Sequence, residues 1–254
     1  MADEVLTSAE DGVLVITLNR PKARNAANRA LAEGVAAAMD VLEENGDLRV
    51  AILTGAGGTF CSGMDLKAFV TGETPHIDGR GFAGLTEYTA SKPVIAAVEG
   101  YALAGGFELA ISCDLIVAAE DSKFGIPEAK RGLAAAAGGL VKLPKQISPR
   151  IAMELALTGD FISAQRAYEL GLINRVVPSG GALDAARELA AKITANGPLA
   201  VAASKQVVAA ALDWKSDEMF AKQNAIVMPV FTSEDAIEGA TAFAEKRAPN
   251  WKGK

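Results

Sequence analysis

The stretch KPVIAAVEGYALAGGFELAISCDLIVA, residues 92–118, decides the fold. It opens on a short apolar run, VIAAVEG (94–100), which a glycine stops. It closes on a second run, LIVAAE (115–120). Apolar runs of this length, bounded by turn residues, read as buried strands. Between them a helix starts at Gly105, within ALAGGFELAISCD (102–114). Strand, helix and strand then follow one another. The same alternation extends outward in both directions. GVLVITLNRP (12–21) is β-branched and ends at a proline, so it reads as a strand. NRALAEGVAAAMDVLEEN (28–45) has apolar residues at helical spacing behind a capping Asn28. RVAILTG (49–55) is a buried strand, followed by the glycine-rich loop GAGGTFCSGMDL (55–66). Residues 70–84 are polar and rich in glycine, and read as a mobile loop over the site. Strands alternating with helices up to about residue 177 predict an α/β architecture.

After INRVVPSGG (173–181) the character changes. Residues 182–196, 198–212, 215–228 and 233–247 all carry helical patterns rich in Ala, Glu and Lys. A boundary is expected near residue 195. It divides a core, residues 1–195, from a helical C-terminal region, residues 196–254, with a face to bury against the core or another subunit. No fixed-period repeat and no low-complexity segment is present.

Composition narrows the function classes. The chain has 254 residues, half of them hydrophobic, with a formal net charge of −6. An acidic balance argues against nucleic acid or an anionic membrane as partner. No uninterrupted apolar run of about 18 residues predicts a membrane span. The N-terminal MADEVLTSAEDG has no apolar signal core. The two cysteines, Cys61 and Cys113, lack metal-ligand spacing. A reduced, cytoplasmic setting is expected.

Several chemistries are poorly supported. In GAGGTFCSG the sixth position of a dinucleotide-binding loop is Phe60 instead of glycine, and no phosphate-loop pattern exists. His76 is the single histidine, inside the polar loop, and no G-x-S-x-G accompanies it. A lone loop histidine reads as a solvated residue, and no histidine pair offers a metal site. Carboxylates remain. The first amides of a helix starting at Gly105 lack intrahelical acceptors and lie at its positive end. A carbonyl oxygen placed there would be polarised. Glu108, three residues on, shares that face. Two readings stand: a first-turn acid that favours the helix dipole, or a buried acid that moves a proton beside the polarised carbonyl. Glu128, in SKFGIPEAKRG (122–132) after Pro127, reads as an exposed helix-start glutamate or as the second carboxylate that a water addition needs.

At these residues the sequence resembles the crotonase (enoyl-CoA hydratase/isomerase) family over nearly its whole length. The likeness is carried by LNRPKARNA (18–26), RVAILTGAGGTFCSGMDLK (49–67), the opening stretch, FGIPEAKRGL (124–133), LTGDFISAQRAYELGLINRVV (157–177) and AFAEKRAPNWKGK (242–254). The resemblance implies a spiral of ββα units with a C-terminal helical region that builds trimers or hexamers. It implies a coenzyme A thioester as substrate and no separate cofactor or metal. It places an oxyanion hole on the backbone amides of Met64 and Gly105, and the two hydratase glutamates on Glu108 and Glu128. CoA contacts fall on Lys22, Ala23, Arg24 and Ser62, and on Asp65, Leu66 and Lys67. The implied activity is reversible hydration of a trans-2-enoyl-CoA. Within the family, GGFELA, GFAGLTE (81–87), IPEAK and SEDAIEGATAFAEKR (233–247) look like carnitinyl-CoA dehydratases. An isomerase and a non-catalytic acyl-CoA binder are the other readings on this fold. The chain departs from the family pattern at Ala104, where a glycine is usual, and in the alanine run LAAAAGG (133–139).

Overall fold

A computed structural model describes residues 4–254; Met1, Ala2 and Asp3, part of the stretch read for a signal, lie outside the described residues. Strands β1 (Val5–Glu10) and β2 (Val13–Leu18) form an antiparallel hairpin. Helix α1 (Arg29–Glu44) follows, with the Asn28 side chain accepting from the Leu31 amide as its cap. Next come β3 (Val50–Gly55) and the short α2 (Leu66–Val70). Residues 76–82 form a small hairpin, β4 (His76–Ile77) and β5 (Gly81–Phe82). This differs from the loop expected over 70–84, and Phe82, Ala83 and Leu85 are buried at its end. Two-residue strands are too short to leave a periodic signal.

The opening stretch becomes β6 (Val94–Val98), β7 (Tyr101–Leu103), α3 (Gly105–Ala110) and β8 (Leu115–Ala119). Then follow β9 (Lys123–Gly125), a 3-10 turn at Pro127–Arg131 and α4 (Gly139–Gln146). The chain continues through α5 (Pro149–Thr158), β10 (Ile162–Ser163), α6 (Ala164–Glu169) and β11 (Arg175–Val177). It ends in α7 (Ala182–Thr194), α8 (Pro198–Ala210), α9 (Met219–Phe231) and α10 (Glu234–Glu245).

The large sheet has the order β1-β2-β3-β6-β8-β11, parallel from β2 onward. A second sheet, β10-β9-β7, stands beside it. The repeating plan is one strand in the large sheet, one in the small sheet, then a helical turn. β6, β7 and α3 follow it, as do β8, β9 and the turn at Pro127. The repeat lies in the geometry and not in the residues, which is why no sequence period marks it.

Both faces of the large sheet are covered, so its strands read as unbroken apolar runs. Alternate residues face opposite sides. Val50, Ile52, Ile95 and Ala97 pack beneath α7, whose Ala182, Ala186 and Ala190 repeat every four residues. Ala51, Leu53, Ala96 and Val98 face the other way, into the main core with α1 and α3. The last three helices instead leave large apolar side chains in the open: Phe220, Phe231 and Phe243 are 70%, 68% and 88% exposed. The C-terminus returns to the core, where the Trp251 indole donates to the Ala195 carbonyl. Among the described residues no helix is long and apolar enough to cross a membrane.

Candidate active site

The turn at residues 22–24, the segment 62–69, the β4–β5 hairpin, the start of α3 and the segment 127–137 line an open cavity of about 750 Å³. Met64, Gly105, Glu108 and Glu128 all line it.

The backbone around Met64 and Gly105 is fixed by its neighbours. The Ala27 amide donates to the Gly63 carbonyl at 2.7 Å, and the Asp65 amide donates to the Ala27 carbonyl at 2.9 Å. The amide of Met64, between them, has no acceptor among the described residues. On the other segment, Ala104 donates to the Gly125 carbonyl and its own carbonyl accepts from Phe107 and Glu108. The Gly105 amide likewise has no acceptor among the described residues. Glycine brings the two segments together. A Cβ on Gly63, which has φ +103°, would lie 2.8 Å from the Ala104 Cβ and 3.4 Å from the Gly105 nitrogen. A Cβ on Gly105 would meet the Phe82 ring at 2.4 Å, and one on Gly106 would meet the Cys61 carbonyl oxygen at 2.1 Å. The six residues of α3 make a short dipole, so polarisation here rests on the two unpaired amides themselves. Ala104 adopts φ 52°, ψ −131°, a conformation that favours glycine.

Glu108 is 2% exposed, inside the first turn of α3. Its Oε1 accepts from the Gly139 amide at 2.8 Å. Burial pushes its carboxyl up to about 7. The Gly139 amide opposes that rise, the Glu128 charge adds to it, and the Ala137 amide and Lys142 oppose it. Glu128 sits in the 3-10 turn at Pro127–Arg131, half-buried. The proline starts only this tight turn, not a full helix. Burial raises its carboxyl as well, and its Oε2 is buried with no hydrogen-bond partner. Two carboxyls whose charged forms are both disfavoured, on one cavity, form a pair suited to proton transfer.

The residues expected at the CoA end line the same cavity: Lys22, Ala23 and Arg24 on one turn, Ser62 ahead of Met64, and Asp65, Leu66 and Lys67 after it. The Asp65 carboxylate is occupied structurally. It caps α2 by accepting from the Lys67 and Ala68 amides, and it pairs with Arg20 at 3.0 Å. Asn25 supports this end and was not singled out from the sequence. It is fully buried at φ 54°, its amide donates to the carbonyls of Ala56 and Thr59, and its Oδ1 accepts from the Arg20 amide. Its position in the RPKARNA turn was visible; its acceptors Ala56 and Thr59, more than 30 residues away, were not.

Other lining residues also lay outside the sequence reading. Phe82, Leu103 and Phe161 supply apolar wall, and Glu87 is a further lining residue; Ala134, Ala136 and Ala137, from the alanine run noted in the sequence, line it too. His76 lines the cavity while remaining exposed. Cys61 and Cys113 are buried and unpaired.

A family model described as enoyl-CoA hydratase/isomerase matches residues 8–254. The carnitinyl-CoA dehydratase of Proteus mirabilis (strain HI4320) is 43% identical, with all of both chains covered. The crystal structure of an enoyl-CoA hydratase from Mycobacterium tuberculosis H37Rv is 60% identical and superposes with a TM-score of 0.97, over 99% of this chain and 100% of that one. A carnitinyl-CoA hydratase structure from Mycobacterium avium is 41% identical, with a TM-score of 0.80 and full coverage of both chains. The spiral of two-strand units, the paired free amides and the end-to-end match lead to one conclusion: this chain is a crotonase-fold member of the enoyl-CoA hydratase/isomerase family.

Proposed function

We propose that the protein catalyses reversible addition of water to a trans-2-enoyl-CoA, giving a 3-hydroxyacyl-CoA. The observation that carries this reading is the pair of buried carboxyls on the cavity that also holds the two unpaired amides. The thioester oxygen accepts hydrogen bonds from Met64 and Gly105, which draws electron density from C3. Glu108, ionised, takes a proton from water as the water oxygen bonds to C3. Glu128, protonated, delivers a proton to C2, and the C2–C3 double bond becomes single. Dehydration reverses each transfer. Mutual repulsion and burial favour a pair holding one proton between them, the state this exchange starts from. Lys22, Arg24 and Lys67 offer cations to the CoA phosphates. The reaction uses no cofactor beyond the CoA carried by the substrate. The exposed phenylalanines of α9 and α10 form the contact that assembles trimers, alone or paired as hexamers.

A second reading, carnitinyl-CoA dehydration, draws on Glu87. Glu87 lines the cavity, and an acid there suits a cationic acyl group. The 43% identity to a protein of that name supports it less than the 60% identity to an enoyl-CoA hydratase supports the first. A panel of CoA thioesters separates them. Turnover of crotonyl-CoA in excess of crotonobetainyl-CoA supports the first reading, and the reverse order supports the second.

A further inference from the structure

Lys142 touches no part of the mechanism above, yet three pieces of the site meet on it. It lies in α4, half-buried, and its Nζ donates to the Thr86 carbonyl at 2.5 Å and to the Ser112 hydroxyl at 2.8 Å. Neither acceptor carries a formal charge. Ser112 Oγ in turn donates to the Glu108 carbonyl at 2.7 Å. The first residue of α4, Gly139, donates its amide to the Glu108 carboxylate. Helix α4 therefore grips Glu108 at both ends, at the carboxylate directly and at the backbone through Lys142 and Ser112. The third piece is the turn after β5. Thr86 Oγ1 accepts from the Phe82 amide at 2.9 Å, and the Phe82 ring packs on Gly105.

A half-buried ammonium bonded only to neutral oxygens is costly. Burial pushes it below the usual lysine range, with Cys113, Glu108 and Glu87 opposing that shift. A methionine of similar length would fill the space without the cost. What the methionine lacks is the charge.

We propose that Lys142 is a positioning residue for Glu108: its ammonium, held between Thr86 and Ser112, fixes the start of α4 on the Glu108 carboxylate and brings a positive charge to its vicinity. The inference rests on the proposed role of Glu108 as base. The groups around the pair are few. Glu108 faces Glu128 from the 3-10 turn, Lys142 from α4, and the amides of Ala137 and Gly139. Lys142 also faces Glu87 and the Cys113 thiol, which burial keeps neutral by raising it to about 12. Removing the ammonium takes away the positive charge that offsets Glu128, so the ionised form of Glu108 becomes less stable.

The test is a titration that needs no substrate. The protein is labelled with 13C at the glutamate carboxyl carbons, and the Glu108 signal is identified by its loss in Glu108→Gln. In Lys142→Met the midpoint should rise by about 0.5–1 pH unit, and in Lys142→Arg it should return to the wild-type position. The acid limb of kcat/KM for hydration should move with it. A purely structural lysine would lower Tm in Lys142→Met and leave the midpoint where it was, and that result overturns the proposal. If Lys142→Met does not fold, Lys142→Gln, which keeps a donor and loses the charge, is read by the same criterion. A wild-type protein that hydrates no CoA thioester defeats the functional reading alone, because the titration stands without turnover.

Discussion

Glu108 illustrates how one residue's chemistry comes from its surroundings. Its folded-state carboxyl titrates near 7, above the ordinary 4.5, chiefly because it is buried. A raised acid stabilises the fold while protonated; that contribution is full below about pH 4.5 and is lost as pH climbs through 7. Glu108→Gln removes the titration and keeps an acceptor for Gly139. The variant should therefore gain stability over wild type as pH rises from 5 to 8, by up to about 3 kcal/mol. Urea denaturation across that range measures it, and a constant difference would contradict the buried, raised carboxyl. The sequence made Glu108 visible, because two glycines followed by an acid in an apolar helix is an unusual combination. Gly139, which holds its carboxylate, was not legible: the two are 31 positions apart and meet only in the folded chain.

At the scale of elements, the site depends on turns more than on helices. Gly63 lets the Met64 segment lie against Ala104 and Gly105. Gly63→Ala adds a Cβ that must push these segments apart and is strained at φ +103°. Hydration kcat should fall by about 10²–10³-fold, the usual loss when an oxyanion donor is displaced; steady-state turnover at saturating substrate reads it. Asn25 ties the RPKARNA turn to the loop after β3. Asn25→Ala leaves two carbonyls without their donor at a positive-φ position, and should cost about 2–4 kcal/mol in chemical denaturation. The strands of the large sheet were readable because burial on both faces makes each an apolar run. β1 was missed because nearly every residue of VLTSAE is exposed, so neither a run nor an alternation marks it. α4 was missed because GLVKLPKQ spans only eight residues around an internal proline, too short a stretch for its apolar face to be told from a loop.

Over the whole molecule, composition and helical periodicity made the C-terminal helices legible. What they cover was not, since an exposed apolar face says only that it can be buried. If those helices assemble the trimer, Phe243→Asp should lower the mass measured by sedimentation while leaving the far-UV spectrum unchanged; an unaltered mass would remove Phe243 from the contact. The central claim concerns the cavity at the other side of the sheet from α7. It is that two acids divide the proton traffic of one water addition on a thioester gripped by main-chain donors. Single-turnover hydration of crotonyl-CoA by Glu108→Gln and by Glu128→Gln, with CoA binding checked by calorimetry, tests it most directly. The account predicts that each variant binds CoA as wild type does and loses about 10²–10⁴-fold in rate. Near-wild-type hydration by either variant would contradict it.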